Sequence, residues 1–205
     1  MAQSLQRFLV ERKVDPSLRT VIAALADASA QTATKMRTLT TSSCKRVGST
    51  NASGDDQLEI DTISDAIVFD ALAKCGKVSA AASEETPEKN LGGSGYSVAF
   101  DPLDGSSVVD ANFSVGFIFG VWPGDKLVGR TGRQQVASGM TQYGPRCTMM
   151  LALSGVTVLE ACFTGTAWEV SASDIKIADK GKAFAPGNLR ASTSSPQYRQ
   201  YLDHF

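Results

Sequence analysis

Three acidic stations stand out along the 205-residue chain. Asp55 and Asp61 lie in GDDQLEID, residues 54–61. Glu84 and Glu85 close KVSAAASEE, residues 77–85. Asp101 and Asp104 lie in AFDPLDGSS, residues 99–107. Hard divalent cations such as Mg²⁺ take oxygen ligands, usually a few carboxylates with phosphate and water completing the shell. Asp101 and Asp104 are separated only by Pro102 and Leu103, so a tight turn lets both face one site and aims the Leu103 carbonyl at the same metal. Gly105, Ser106 and Ser107 then offer backbone N–H groups, opening a short helix of the kind that receives phosphate. Metal and phosphate belong together, because cations screen carboxylates that would otherwise repel the phosphate. Taken singly, each station also reads as ordinary surface. Asp-Pro and Asp-Gly are turn dipeptides, Glu84–Glu85 is a charged loop, and residues 55–65 form a solvated helix face. The coincidence of all three with element ends favours the metal–phosphate reading.

The rest of the composition removes competing chemistries. Lys and Arg (20) nearly balance Asp and Glu (21), for a net charge of −1. That gives no electrostatic footprint for nucleic acid or an anionic membrane. No apolar run reaches the length of a membrane span. The one histidine, His204, sits beside the C-terminus, so a Ser-His-Asp triad or a multi-histidine metal site has nowhere to form. Acid–base work must fall to carboxylates. Cys44, Cys75, Cys147 and Cys162 match no zinc or CxxC spacing and read as reduced thiols. The opening MAQSLQRFLVERKVD carries no apolar signal core, so cytoplasm is the default compartment, with a plastid or other organelle left open.

Helical spacing predicts a helix over residues 3–12, on Leu5, Phe8 and Leu9. Asp15 with Pro16 is a start signal for a second, over 16–37, burying Val21, Ile22 and Leu25. Residues 38–54 are rich in Ser, Thr and Gly and read as a mobile loop. Residues 55–76 read as an acidic amphipathic helix marked by Leu58, Ile63, Ile67 and Leu72 and stopped by Gly76. Short strands follow at 77–83, 97–100, 114–123, 148–154, 156–163 and 166–171, with a helix expected within 131–144. Helices first and mainly strands afterwards predict a layered α+β architecture.

FDPLDGSS, residues 100–107, resembles the signature of the magnesium-dependent, lithium-sensitive phosphatase superfamily, which includes inositol monophosphatases and fructose-1,6-bisphosphatases. GDDQLEID, SEE (83–85), the stretch 97–127, YGPR (143–146) and APGNLRAS (185–192) narrow it to the fructose-1,6-bisphosphatase family. Within that family FGVWPGDKL, residues 119–127, is nearer the sedoheptulose-1,7-bisphosphatase branch. The resemblance implies the layered sugar-phosphatase fold, helices packed on a mixed sheet. It implies Mg²⁺ as cofactor, a sugar bisphosphate as substrate, and homo-oligomers for the complete enzyme. It places Asp55, Glu84, Asp101, the Leu103 carbonyl and Asp104 on the metal. Asp61 and Glu85 would orient and deprotonate the attacking water. Asp104, Gly105, Ser106 and Ser107 would hold the departing phosphate, and Asn188 and Arg190 would sit near the distal one.

The same resemblance sets three alternatives: cleavage of the 1-phosphate of sedoheptulose 1,7-bisphosphate, a fructose-1,6-bisphosphatase, or a shortened non-catalytic paralogue acting as a subunit. The family continues into a second α/β half beyond the point matched by YLDHF, residues 201–205. Residues 1–205 are therefore expected to be the N-terminal, metal- and phosphate-binding portion, with an apolar sheet face left exposed. Plastid members carry a cysteine pair in the loop around residues 44–49. Here Cys44 is present but Ser49 stands at the partner position, which argues against redox switching through that pair.

Overall fold

The computed structural model describes residues 3–40, 46–51, 56–181 and 189–204. Its helices follow their start signals. Ser4 caps α1 (Leu5–Glu11), its hydroxyl accepting from the Arg7 amide at 3.3 Å. Asp15 caps α2 (Pro16–Met36), with Oδ1 accepting from the Leu18 amide at 2.9 Å. Such caps satisfy amides that the helix itself leaves open. Val21, Ile22 and Leu25 are fully buried, as their spacing predicts.

The next segment departs from the sequence reading. Residues 46–50 are strand rather than loop: β2 (Arg46–Thr50) pairs antiparallel with β3 (Asp56–Leu58). Pairing supplies a ladder that local propensity does not foresee. Helix α3 (Glu59–Cys75) consequently starts later than residue 55. Its start is set by Asp61, whose Oδ2 accepts from the Leu58 amide at 2.9 Å, a carboxylate reaching back from the first turn. The buried stripe of α3 is also rotated from the predicted one. Ile60, Asp61, Ser64, Asp65, Val68, Phe69 and Leu72 are buried, while Leu58, Ile63 and Ile67 are half-buried. Two carboxylates thus lie on the inward face. Gly76 ends the helix at φ +65°, a left-handed cap that favours glycine.

The remaining strands are β4 (Val78–Ser83), β5 (Lys89–Asn90), β6 (Tyr96–Asp104), β7 (Val115–Pro123), β8 (Ala137–Tyr143), β9 (Cys147–Leu153), β10 (Thr157–Phe163) and β11 (Trp168–Ser173). With β1 (Gln3–Ser4) they form, among the described residues, a nine-stranded sheet in the order β1-β11-β10-β9-β8-β7-β6-β4-β5. Every pairing is antiparallel except β4 with β6, which is parallel, so the sheet is mixed as expected. The helix expected within 131–144 is absent. One 3₁₀ turn, Gly132–Gln134, precedes β8. Ala137, Thr141 and Tyr143 alternate into the core, a period of two masked by the small and polar residues between them.

Val115, Phe117, Phe119 and Val121 of β7, with Cys147, Met149, Leu151 and Leu153 of β9, bury one sheet face against the three helices. Phe100, Phe117 and Phe119 stack along it, with centroids 6.3 and 5.3 Å apart. Helix α2 is tied to the sheet by two polar contacts. The Ser29 and Thr141 hydroxyls lie 3.1 Å apart, and Trp168 Nε1–H donates to the Ala26 carbonyl at 2.9 Å. Trp168→Phe keeps most of the packing and removes that donor. It is expected to cost about 1–2 kcal/mol of unfolding free energy in urea titration, read as a lower midpoint at unchanged slope.

Among the described residues of 3–175, the opposite sheet face keeps large apolar side chains exposed. Ile118 and Met140 are 41% and 45% exposed there. With Ala99, Met150, Ala152 and Val158 they line a groove of about 700 Å³ that reaches Glu84 and Asp101 at one end. Residues 176–205 form a separate compact unit. In it α4 (Pro196–Asp203) is capped by the Ser195 hydroxyl, which accepts from the Tyr198 amide at 3.3 Å.

Candidate metal and phosphate site

The aspartate pair does not sit beyond a strand end at Phe100. Strand β6 runs through it to Asp104, carried by a bulge. Asp101 pairs with Ile118 and Asp104 with Gly116, so β6 holds one more residue than β7 between the two pairs. A bulge re-aims side chains at a sheet edge. Two contacts hold it. The Leu103 amide donates to Asp101 Oδ1 at 3.0 Å, and the Leu103 side chain is buried at 3% exposure. Gly105 follows at φ +82°, left-handed backbone that a side chain would strain. The chain then makes the short helix expected there, a single 3₁₀ turn over Ser106–Val108.

Glu84 and Glu85 leave β4 in a closed turn. The Ser83 amide donates to the Thr86 carbonyl at 2.9 Å, and the Thr86 amide to the Ser83 hydroxyl at 2.9 Å. The parallel register sets Ser83 beside Phe100, and the Glu84 amide donates to the Phe100 carbonyl at 3.2 Å. Glu84 therefore lies alongside Asp101. Asp61 reaches the same place from the first turn of α3.

The electrostatics show how closely these groups meet. Burial raises the Asp101 carboxyl to about 7, helped by the charges of Glu84 and Asp104 and by a hydrogen bond with Glu84. Burial also raises Asp61, and Glu84 adds to it, against the Leu58 amide and Ser106. Glu85 is raised by burial and by Asp61, Glu84 and Asp65, against Gln57. Among the described residues, the charges acting on these three are carboxylates. Crowded acids with no basic partner hold protons or take up a cation.

The structure thus brings together Asp61, Glu84, Glu85, Asp101, Asp104 and Ser106, with Leu103, Gly105 and Ser107 on the same strap. Asp55, Asn188 and Cys44 lie outside the described residues. Arg190 belongs to the separate unit of residues 176–205. Among the described residues no three acidic, cysteine or histidine side chains already stand at coordination spacing around one point. The donor set still suits a hard cation: several oxygens, no thiolate or imidazole, and an excess of negative charge. Sequence reading missed the supporting polar groups. Gln57 donates to Glu85, Asn51 to Glu84 at 3.4 Å, and Asp65 grips the glutamate turn. Asp65 alone left a signal, lying one helical turn after Asp61 on the same face of α3.

The family described as fructose-1-6-bisphosphatase, N-terminal domain, matches residues 3–164. The chloroplastic sedoheptulose-1,7-bisphosphatase of Chlamydomonas reinhardtii is 44% identical over all of this chain and 52% of its own length. The class 1 fructose-1,6-bisphosphatase of Syntrophotalea carbinolica is 34% identical over 91% of this chain and 58% of its own. A Toxoplasma gondii structure described as a sedoheptulose-1,7 bisphosphatase superposes with a TM-score of 0.84 at 30% identity, covering 98% of this chain and 68% of that one. The chain spans about half the length of the curated relatives it matches. With residues 3–164 inside the family match, the chain belongs to the fructose-1,6-bisphosphatase family, through that family's N-terminal domain.

Proposed function

We propose that the chain is the metal- and phosphate-binding portion of a sugar bisphosphatase. The enzyme hydrolyses the 1-phosphate of sedoheptulose 1,7-bisphosphate to sedoheptulose 7-phosphate and phosphate, with Mg²⁺ as cofactor. The observation that carries this is the convergence of carboxylates from three separate segments, α3, the exit of β4 and the β6 bulge, with no basic partner acting on them among the described residues. Identity to the algal sedoheptulose enzyme (44%) exceeds that to the bacterial fructose enzyme (34%), which favours the seven-carbon sugar.

Glu84, Asp101, Asp104 and the Leu103 carbonyl, with Asp55, are the groups that would hold Mg²⁺. Bound there, the cation supplies charge stabilisation to the phosphoryl oxygens and to the leaving oxygen. Asp61 and Glu85 accept a proton from the water that attacks phosphorus, and their raised pKa values make them better bases than a solvated carboxylate. The water oxygen bonds to phosphorus, the ester P–O bond breaks, and the sugar oxygen leaves and is protonated from solvent. Asp104, Gly105, Ser106 and Ser107 orient the phosphoryl group, and the family resemblance assigns Asn188 and Arg190 to the distal phosphate.

Phosphate release by the complete protein tests this. Hydrolysis is expected to need added Mg²⁺, to stop with chelator, and to favour the seven-carbon over the six-carbon bisphosphate by about tenfold or more in kcat/KM. Equal rates or a preference for the fructose substrate would replace the sugar assignment, and no cation-dependent release from either would remove the enzymatic reading. We propose cytoplasm as the compartment, with a plastid the alternative supported by the chloroplastic name of the algal relative. Fractionation of cells expressing a tagged copy decides between them.

A further inference from the structure

We infer that Asp65 is a positioning residue for the acidic site, holding the turn that presents Glu84 and Glu85. The inference rests on the proposed function. Asp65 is 7% exposed and lies on the inward face of α3. Its Oδ1 accepts from the Ser83 hydroxyl at 2.6 Å, and its Oδ2 accepts from the Thr86 hydroxyl at 2.7 Å. Ser83 and Thr86 are the residues on either side of the glutamate pair. They are also bonded to each other twice, through the Ser83 amide and the Thr86 amide. One buried carboxylate therefore grips both ends of the turn.

The geometry has a consequence for the site. A buried carboxyl group is tolerable only when its oxygens are hydrogen-bonded, and both oxygens of Asp65 are. Because those bonds come from the glutamate turn, the turn is fastened to α3. The first turn of that same helix carries Asp61. The spacing between Asp61 and the Glu84–Glu85 pair is thereby set by a rigid element instead of by a free loop. With both oxygens engaged by hydroxyls, Asp65 acts through the glutamates. Outer partners of this kind orient ligands, and their loss typically weakens metal affinity by about 10–100-fold.

Mn²⁺ binding to the complete protein, followed by electron paramagnetic resonance, is a readout separate from turnover. Asp65→Ala is expected to weaken Mn²⁺ affinity by about tenfold or more. Thr86→Val, which removes one hydroxyl at constant shape, is expected to weaken it several-fold. Asp65→Asn is expected to restore most of the loss, since its amide oxygen still accepts from Ser83 and its NH₂ can donate to the Thr86 oxygen. Trp168→Phe, destabilised but remote, is expected to bind Mn²⁺ as the unmodified protein does. Should Asp65→Ala fail to fold, Thr86→Val carries the test. Unchanged affinity in Thr86→Val, or in folded Asp65→Ala, overturns the inference while leaving the metal reading intact. An unmodified protein that binds no Mn²⁺ overturns both.

Discussion

Asp101→Asn in the complete enzyme is expected to lower kcat/KM at least about a thousandfold, roughly 4 kcal/mol of transition-state stabilisation. Asparagine keeps the oxygen that accepts from the Leu103 amide, so the bulge in β6 is preserved. What disappears is the charge, in a place where Glu84 and Asp104 already press on Asp101. Removing a crowded carboxylate relieves repulsion in the cation-free protein. The variant is therefore expected to melt no lower than the unmodified enzyme without cation, while losing turnover. Asp104→Ala removes the second ligand of the same strap and is expected to show a loss of similar size. Turnover within a few-fold of normal in either variant refutes their place on the metal. A variant that is inactive because it has unfolded is recognised by its melting curve.

How much of this was legible without coordinates depended on whether the signal was local. Asp15 with Pro16 marks the start of α2 because capping needs only a side chain and amides three residues away. The spacing of Asp101, Leu103 and Asp104 marks a turn-like strap for the same reason. Residues 137–143 were misread because the inward positions of β8 include Thr141, and a buried threonine carries no hydrophobic signal. Its hydroxyl is satisfied by Ser29, more than a hundred residues away, which no local pattern contains. The late start of α3 has a similar cause, since β3 exists only through its pairing with β2. Asp65 is the most instructive case. It was grouped with a solvated acidic face, yet the stripe of α3 turns it inward, where Ser83 and Thr86 receive it. The acid stations were visible as residues; their convergence follows from β4 lying parallel to β6, which only the sheet decides.

The charge crowding at this site also carries a pH dependence whose sign reverses with cation. The folded protein raises Asp101 from 3.8 to about 7. A group raised on folding adds stability that is fully present below its unfolded value and is lost as pH climbs through its folded value. Asp61 and Glu85 are raised as well and act in the same direction. In chelator, the melting temperature is therefore expected to fall between about pH 4 and about pH 7 as far as these groups determine it. A divalent cation binds the ionised form and so competes with the proton. Its stabilising effect is weakest when Asp101 is protonated, grows as pH rises toward about 7 and levels off above it. With saturating Mg²⁺ the melting profile is expected to flatten or turn upward across the same range, so the gap between the two curves widens with pH. Calorimetric titration near pH 6.5, repeated in buffers of different ionisation enthalpy, should report release of about one proton per cation bound. Apparent affinity should weaken by up to about tenfold per pH unit below 7. Binding that releases no proton, with parallel melting profiles in chelator and Mg²⁺, would place the cation away from Asp101 and break the link between the crowded acids and the chemistry proposed for them.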